Sequence, residues 1–253
     1  MRLSANLGFL WPDLPLTERI AAAGRAGFAA VELHWPYDIP APEIRRAADA
    51  AGVRILALNS LRGDVAAGEA GLACLPGREA EFRDTIALAF DYARVLGAGA
   101  VHVMAGKPQG DGWQKALVAN LRHACDTAGD LKVLIEPLNT TDNPGYAYAT
   151  IDAAQAIRAA VDRPNLRLMF DAYHVAMMGQ DPATVWRLCR GDVGHVQVAG
   201  VPGRGEPVPD APPLRAFFET LRAEGYAGWI GCEYRPAAGT EAGLGWSDRI
   251  PGG

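Results

Sequence analysis

Short apolar runs rich in Val, Ile and Leu alternate along the chain with longer Ala-, Leu- and Arg-rich stretches whose apolar positions recur at helical spacing. The short runs predict strands over 3–9, 29–34, 54–59, 100–104, 132–136, 167–171, 194–199 and 229–233. The longer stretches predict helices over 16–26, 41–51, 78–96, 114–128, 151–160, 182–189 and 213–224. Gly27, Gly52, Gly97, Gly129 and Gly225 each fall a few residues before a new strand, where a left-handed residue ends a helix. Pro42 and Pro182 stand near helix starts, where a missing N–H costs nothing. Strands regularly separated by helices predict a parallel sheet covered by helices. The count of eight, and the lack of G-x-G-x-x-G after the first strand, favour a closed (β/α)8 TIM barrel over an open doubly wound sheet. One domain over 1–253 is expected, with a short or truncated final helix because only 239–246 follows the last strand.

Composition narrows the partners rather than the fold. Net charge is −5 with 21% charged residues, and no cluster of Lys and Arg offers a footprint for nucleic acid or a membrane surface. No apolar run approaches the ~20 residues of a membrane span, and the N-terminus reads as strand rather than leader, so a cytoplasmic location is expected. Cys74, Cys125, Cys189 and Cys232 show no C-x-x-C spacing and read as reduced, buried thiols.

Chemistry concentrates at the ends of the late strands, where such barrels place their active sites. The fifth strand closes on Glu136, the sixth on Asp171 and the eighth on Glu233, while the seventh carries His195 and Gln197. Gaps of 35 (136 to 171), 26 (171 to 197) and 36 (197 to 233) residues each fit one βα unit, so the four side chains can converge. Carboxylates gathered this way repel one another unless a cation lies between them, and oxygen ligands suit Mg²⁺ or Mn²⁺ better than zinc. Each acid taken alone could equally be a helix cap or a surface ion-pair partner. His102 and His195 read as hydrogen-bonded core residues. His174, three residues past Asp171, reads as a substrate contact. Lys107 and Arg204, in turns after the fourth and seventh strands, could hold a substrate carboxylate or stand as solvated loop charges. Trp11 and Trp35 could roof a pocket, with packing as the default. G-x-S-x-G, Walker A and H-E-x-x-H patterns do not occur.

With these residues in view, the chain resembles the hydroxypyruvate isomerase family of the xylose-isomerase-like barrels, nearly end to end. The resemblance is carried by Val31-Glu32-Leu33, by the run from Gly63 to Glu79, and by His102-Val103-Met104-Ala105-Gly106. Further on it is carried by Ile135-Glu136-Pro137, Phe170-Asp171-Ala172-Tyr173-His174, His195 to Gly200, Gly228 to Tyr234 and Thr240 to Trp246. It implies a divalent metal, Mg²⁺ or Mn²⁺, held by Glu136, Asp171, Gln197 and Glu233. It further implies that Glu136 and Glu233 act as the acid/base pair, with His174 beside the substrate. The reaction implied interconverts hydroxypyruvate and tartronate semialdehyde through an enediol. Two loops depart from the family pattern, 59–63 and 207–213, and both are expected to shape the pocket.

Alternatives therefore stay open: an isomerase of a longer oxo-acid such as 2-oxo-tetronate, a ketose epimerase, a metal-dependent phosphodiesterase, or a barrel that binds without catalysis. The partner expected in the leading readings is a small hydroxy-oxo acid or sugar, not nucleic acid or membrane. Barrels of this kind often pair, so a homo-oligomer is not excluded.

Overall fold

A computed structural model describes residues 1–250. Eight parallel strands close into a barrel in chain order. They are β1 (Arg2–Asn6), β2 (Ala30–Leu33), β3 (Arg54–Asn59), β4 (Ala100–His102), β5 (Lys132–Ile135), β6 (Leu166–Asp171), β7 (Val193–Val198) and β8 (Trp229–Cys232). The ring closes where Leu3 pairs with Ile230 and Ala5 with Cys232. Outside the strands lie α1 (Leu16–Arg25), α2 (Ala41–Ala51), α3 (Glu79–Leu96), α4 (Trp113–Thr127), α5 (Ile151–Val161), α6 (Ala172–Met177), α7 (Pro182–Cys189), α8 (Pro212–Ala223) and α9 (Thr240–Gly243).

The alternation read in the sequence sorts the two faces of each strand. Outward side chains build the main core against the helices; Phe170 of β6, for example, stacks on Phe217 of α8 at 5.4 Å and meets Trp186 edge-on at 5.7 Å. Inward side chains form layers across the barrel. Ala57, Ala100, Leu134 and Met169 make a separate small apolar cluster on one side. The register places Ser4 beside Gly231, Gly231 beside Gln197, and Asn6 beside Glu32, so the opposite side is lined by polar groups and a glycine.

Helix ends follow the punctuation. Gly52 and Gly97 end α2 and α3 in the left-handed region at φ 68° and 67°, and Pro42 and Pro182 occupy first-turn positions of α2 and α7. Two strands stop well short of expectation and one helix is added. β1 stops at Asn6, because its side-chain Oδ1 accepts the Gly8 N–H at 2.9 Å and its carbonyl accepts the Leu10 N–H at 3.0 Å, turning the chain. β4 stops at His102, because the Met104 N–H donates to Ser60 Oγ and the Ala105 N–H to the Tyr146 hydroxyl instead of to a strand. α6 is an extra helix, six residues long, that starts directly from β6.

The final helix is short as anticipated: α9 has four residues and runs into a 3-10 turn, Leu244–Arg249. It is fastened to the first βα loop, since the Trp11 N–H donates to Thr240 Oγ1 at 2.7 Å and Trp11 Nε1 donates to Glu241 Oε1 at 2.5 Å. Among the described residues no helix is long and apolar enough to cross a membrane.

Candidate active site

Glu136 follows β5 directly, Asp171 closes β6, Gln197 lies on β7 and Glu233 follows β8. All four are buried, at 4%, 2%, 2% and 6% exposure, so three carboxylates lie where each needs a compensating partner. Asp171 has two tasks: its Oδ1 caps α6 by accepting the Tyr173 N–H at 2.9 Å, while its Oδ2 faces the site. A strand-end acid thus serves as a helix cap while keeping one oxygen turned to the cluster.

Arg204 supplies the cation that meets two of these acids. Its Nη2 donates to Glu233 Oε1 at 2.7 Å and to Asp171 Oδ2 at 3.1 Å, and its Nε donates to the Glu233 carbonyl at 3.2 Å. The guanidinium lies 4.9 Å from the Phe9 ring centre and 5.0 Å from that of Tyr173, between the two. Its backbone takes a left-handed φ of 57°, a strained choice for a residue with a side chain, of a kind that clusters at functional sites. Arg204 is thus a buried member of the cluster and not a solvated loop charge.

The charges are unequal. Burial drives Glu136 well above the usual carboxylate range, and repulsion from Glu233 and Asp171 adds to it. Burial raises Asp171 to about 7, with Arg204 pulling the other way. Burial also works against the Glu233 anion, but Arg204 and His34 overcome it and hold this group at about 2. The two glutamates are thus shifted in opposite directions, Glu136 up and Glu233 down.

His174 has its role fixed by its neighbours. The Asn139 backbone N–H donates to His174 Nδ1 at 3.1 Å, and Asn139 Nδ2 lies 2.7 Å from the same nitrogen. The Asn139 amide is itself oriented, because its Oδ1 accepts the Thr141 and Asp142 N–H groups and its Nδ2 donates to Asp142 Oδ2 at 2.9 Å. Nδ1 is therefore an acceptor, and in the neutral ring the proton sits on Nε2. Burial, followed by Arg204, lowers the ring to about 3, in keeping with a neutral imidazole. Nε2 then faces Arg204 Nη1 at 3.1 Å, donor against donor, with Glu136 Oε1 and Asp171 Oδ2 at 3.5 and 3.6 Å. Two donors thus lie side by side at the edge of the acid cluster.

A cation fits this donor set. Glu136 Oε1 and Gln197 Oε1 are buried acceptors without a hydrogen-bond partner. Ligand atoms of Glu136, Asp171 and His174 lie within 4.8 Å of one another. Of these three the carboxylates are the natural ligands. His174 Nε2 carries a proton and is the poorer choice.

Several groups beside this cluster were not assigned to the site from the sequence. His34, just beyond β2, has Nε2 3.6 Å from Glu233 Oε1. His102, expected to be a core histidine, lies with Nδ1 3.3 Å from Asn59 Oδ1 and 3.5 Å from Glu136 Oε2. Glu32 is buried at 2% and bonded to Gln197; a charged residue inside an apolar strand was the available signal. Lys107 is not joined to Glu136, Asp171 or Glu233 by any hydrogen bond or ion pair among the described residues, and it lines a separate cleft of about 200 Å³ with Glu69 and Gln109. Trp11 serves as the C-terminal fastening. Trp35 donates to the Ser60 carbonyl at 3.1 Å and carries the Arg62 guanidinium over its ring at 3.5 Å, so the departing 59–63 loop forms the wall next to His102. In the other departing loop, the Ala211 N–H bonds to the Val208 carbonyl and leads into α8 one residue earlier than expected.

The barrel and its acid cluster define a class, and comparison with known proteins agrees. A family model described as a xylose isomerase-like TIM barrel matches residues 20–250, and the chain belongs to that family. The chain is 44% identical over 251 residues to the 2-oxo-tetronate isomerase of Cupriavidus necator, covering 97% of this chain and 96% of that one. It is 37% identical over 254 residues to the hydroxypyruvate isomerase of Escherichia coli, covering 98% of each. A crystal structure titled AP endonuclease, family 2, from Brucella melitensis superposes with a TM-score of 0.94 at 37% identity, over 98% of each chain. The chain is an isomerase of this family, acting on a small molecule.

Proposed function

We propose that the protein is a metal-dependent isomerase of 3-hydroxy-2-oxo carboxylates, with hydroxypyruvate and tartronate semialdehyde as the interconverted pair. The observation that carries this reading is the pair of buried, unpartnered acceptors, Glu136 Oε1 and Gln197 Oε1, with Gln197 in register beside Asp171 on the neighbouring strand. Glu136, Asp171, Gln197 and Glu233 would hold Mg²⁺ or Mn²⁺. When bound, such an ion supplies positive charge beside the carbonyl and hydroxyl oxygens of the substrate.

The chain's own residues do the rest. His174 Nε2–H and Arg204, side by side, orient a substrate oxygen. One of Glu136 and Glu233 takes the proton from the hydroxyl-bearing carbon, giving an enediol. The other returns a proton to the neighbouring carbon as the remaining hydroxyl proton passes to the former carbonyl oxygen, so ketone becomes aldehyde with no change in composition. Phe9 and Tyr173 flank Arg204 and restrict water at its faces.

A second reading is favoured by the 44% identity to a 2-oxo-tetronate isomerase. That acid has the same hydroxy-oxo carboxylate end with one more carbon, so the proton-transfer groups serve either substrate. Proton NMR in deuterated buffer, with metal-stripped protein before and after Mg²⁺ or Mn²⁺, tests both. Metal-dependent product formation with deuterium at the reacting carbons supports the enediol route, and the faster substrate decides specificity. If neither acid exchanges a carbon-bound proton in the metal-loaded sample, the proposal fails.

A further inference from the structure

Gln197 is held from below by a group that takes no part in the proton transfer. Its Nε2 donates to Glu32 Oε2 at 2.8 Å, reaching across the barrel from β7 to β2. Glu32 Oε1 accepts the Ser4 hydroxyl at 2.5 Å and lies 2.9 Å from His195 Nε2. Both Glu32 and Ser4 are buried, and among the described residues no Lys or Arg pairs with this carboxylate. The passage exists because β8 offers no side chain there: a Cβ on Gly231 would fall 2.4 Å from Glu32 Oε1 and 2.8 Å from Gln197 Cγ.

A carboxylate offers acceptors only, whereas an amide has one donating and one accepting end. Glu32 therefore decides which way the Gln197 amide lies. With the NH₂ end engaged, the carbonyl oxygen is the free end, and it is the atom that lacks a partner. We infer that Glu32 is a positioning residue, which orients Gln197 so that its oxygen and not its NH₂ group is presented to the divalent cation. The inference rests on the reading in which Gln197 is a ligand. A flipped amide would aim two N–H donors at the cation and remove one ligand.

The test is Mn²⁺ binding to the full chain, followed by the electron spin resonance of the free ion and by calorimetry, with thermal melting to report the fold. The Glu32→Gln variant leaves an amide at position 32 that can meet either end of Gln197, so orientation is lost. Its Mn²⁺ affinity is expected to fall about 10–100-fold. In a Gln197→Ala background the same change is expected to cost nothing further, because nothing remains to orient. Combining Glu32→Gln with Gln197→Glu reverses donor and acceptor and again leaves an oxygen for the ion, so affinity is expected to return. If Gln197→Ala weakens Mn²⁺ binding but Glu32→Gln does not, the positioning role is overturned and the ligand reading stands. An equal loss from Glu32→Gln in both backgrounds overturns it in favour of a general packing role. If Gln197→Ala leaves Mn²⁺ binding unchanged, the ligand reading fails and the inference with it.

Discussion

The Asn139 backbone N–H bonds to His174 Nδ1 at 3.1 Å, and this one contact settles which nitrogen of the imidazole can donate into the site. Because a backbone N–H cannot change role, His174 is a fixed Nε2–H donor beside Arg204.

A glutamine placed at 174 sets its own N–H donor near the position of Nε2, while asparagine places it near Nδ1. The His174→Gln variant is therefore expected to keep kcat/KM within about 30-fold of the parent. His174→Ala and His174→Asn are expected to lose about 10²–10³-fold, the usual cost of a missing donor. Steady-state kinetics of the three variants check this, and an equal loss in all of them would count against the donor role.

Glu233 is ionised well below neutrality, held at about 2 by Arg204 and His34 against its burial. Glu233→Gln keeps the shape and the Arg204 contact but cannot carry a proton. Turnover is expected to fall by at least about 10³-fold, with far-UV circular dichroism unchanged. Retained turnover would remove Glu233 from the acid/base pair.

The metal-free protein should lose stability as pH rises. Asp171 sits at about 7 in the fold against ~4 in an unfolded chain. Between those values the folded state binds the extra proton, so stability is full below about pH 4 and is lost through about pH 7. For this one group the effect is at most on the order of 4 kcal/mol, and Glu136 adds to it in the same direction. Glu233 works in reverse, losing its contribution only as pH falls from ~4 toward 2. Melting of the stripped protein is expected to be highest near about pH 4, lower at pH 5 and lower still at pH 8. Mn²⁺ should raise the midpoint more at pH 8, where it competes with fewer protons. A stripped protein whose midpoint rises from pH 5 to 8 would contradict this balance.

A methyl group on Gly231 would meet Glu32 Oε1 at 2.4 Å and Gln197 Cγ at 2.8 Å. Gly231→Ala is expected to cost about 1–3 kcal/mol by overpacking and to weaken Mn²⁺ binding by displacing Glu32. Urea unfolding and metal titration measure the two effects separately. Unchanged values in both would mean that the carboxylate moves aside freely.

Much of this architecture was legible because parallel strands buried on both faces read as unbroken apolar runs. An acid at the end of such a run stands out, which is how Glu136, Asp171 and Glu233 emerged. Gln197 was visible only by its place in the alternation. α6 was missed because six residues carry too little periodicity, and its start depends on the Asp171 cap rather than on hydrophobic pattern. β1 and β4 were drawn too long because apolar residues continue past the point where side-chain acceptors, Asn6 Oδ1 and Ser60 Oγ, capture the backbone. Glu32 lay within a quoted motif, but its partners are 28 and 165 residues away, and no local pattern carries such a pairing. Arg204 could be placed near the mouth from its turn; its burial between Phe9 and Tyr173 required the fold.

Closure of the ring also sets when the site can exist. Ser4 and Gln197 meet on Glu32, and Trp11 holds Thr240 and Glu241, so the earliest and latest parts of the chain finish one another. A chain emerging from the ribosome would have β1 and β2 long before β8 arrives with Glu233. Until then Glu32 and Ser4 face an open edge. The acid cluster, which needs Glu233, is thus complete only once β8 has joined the ring.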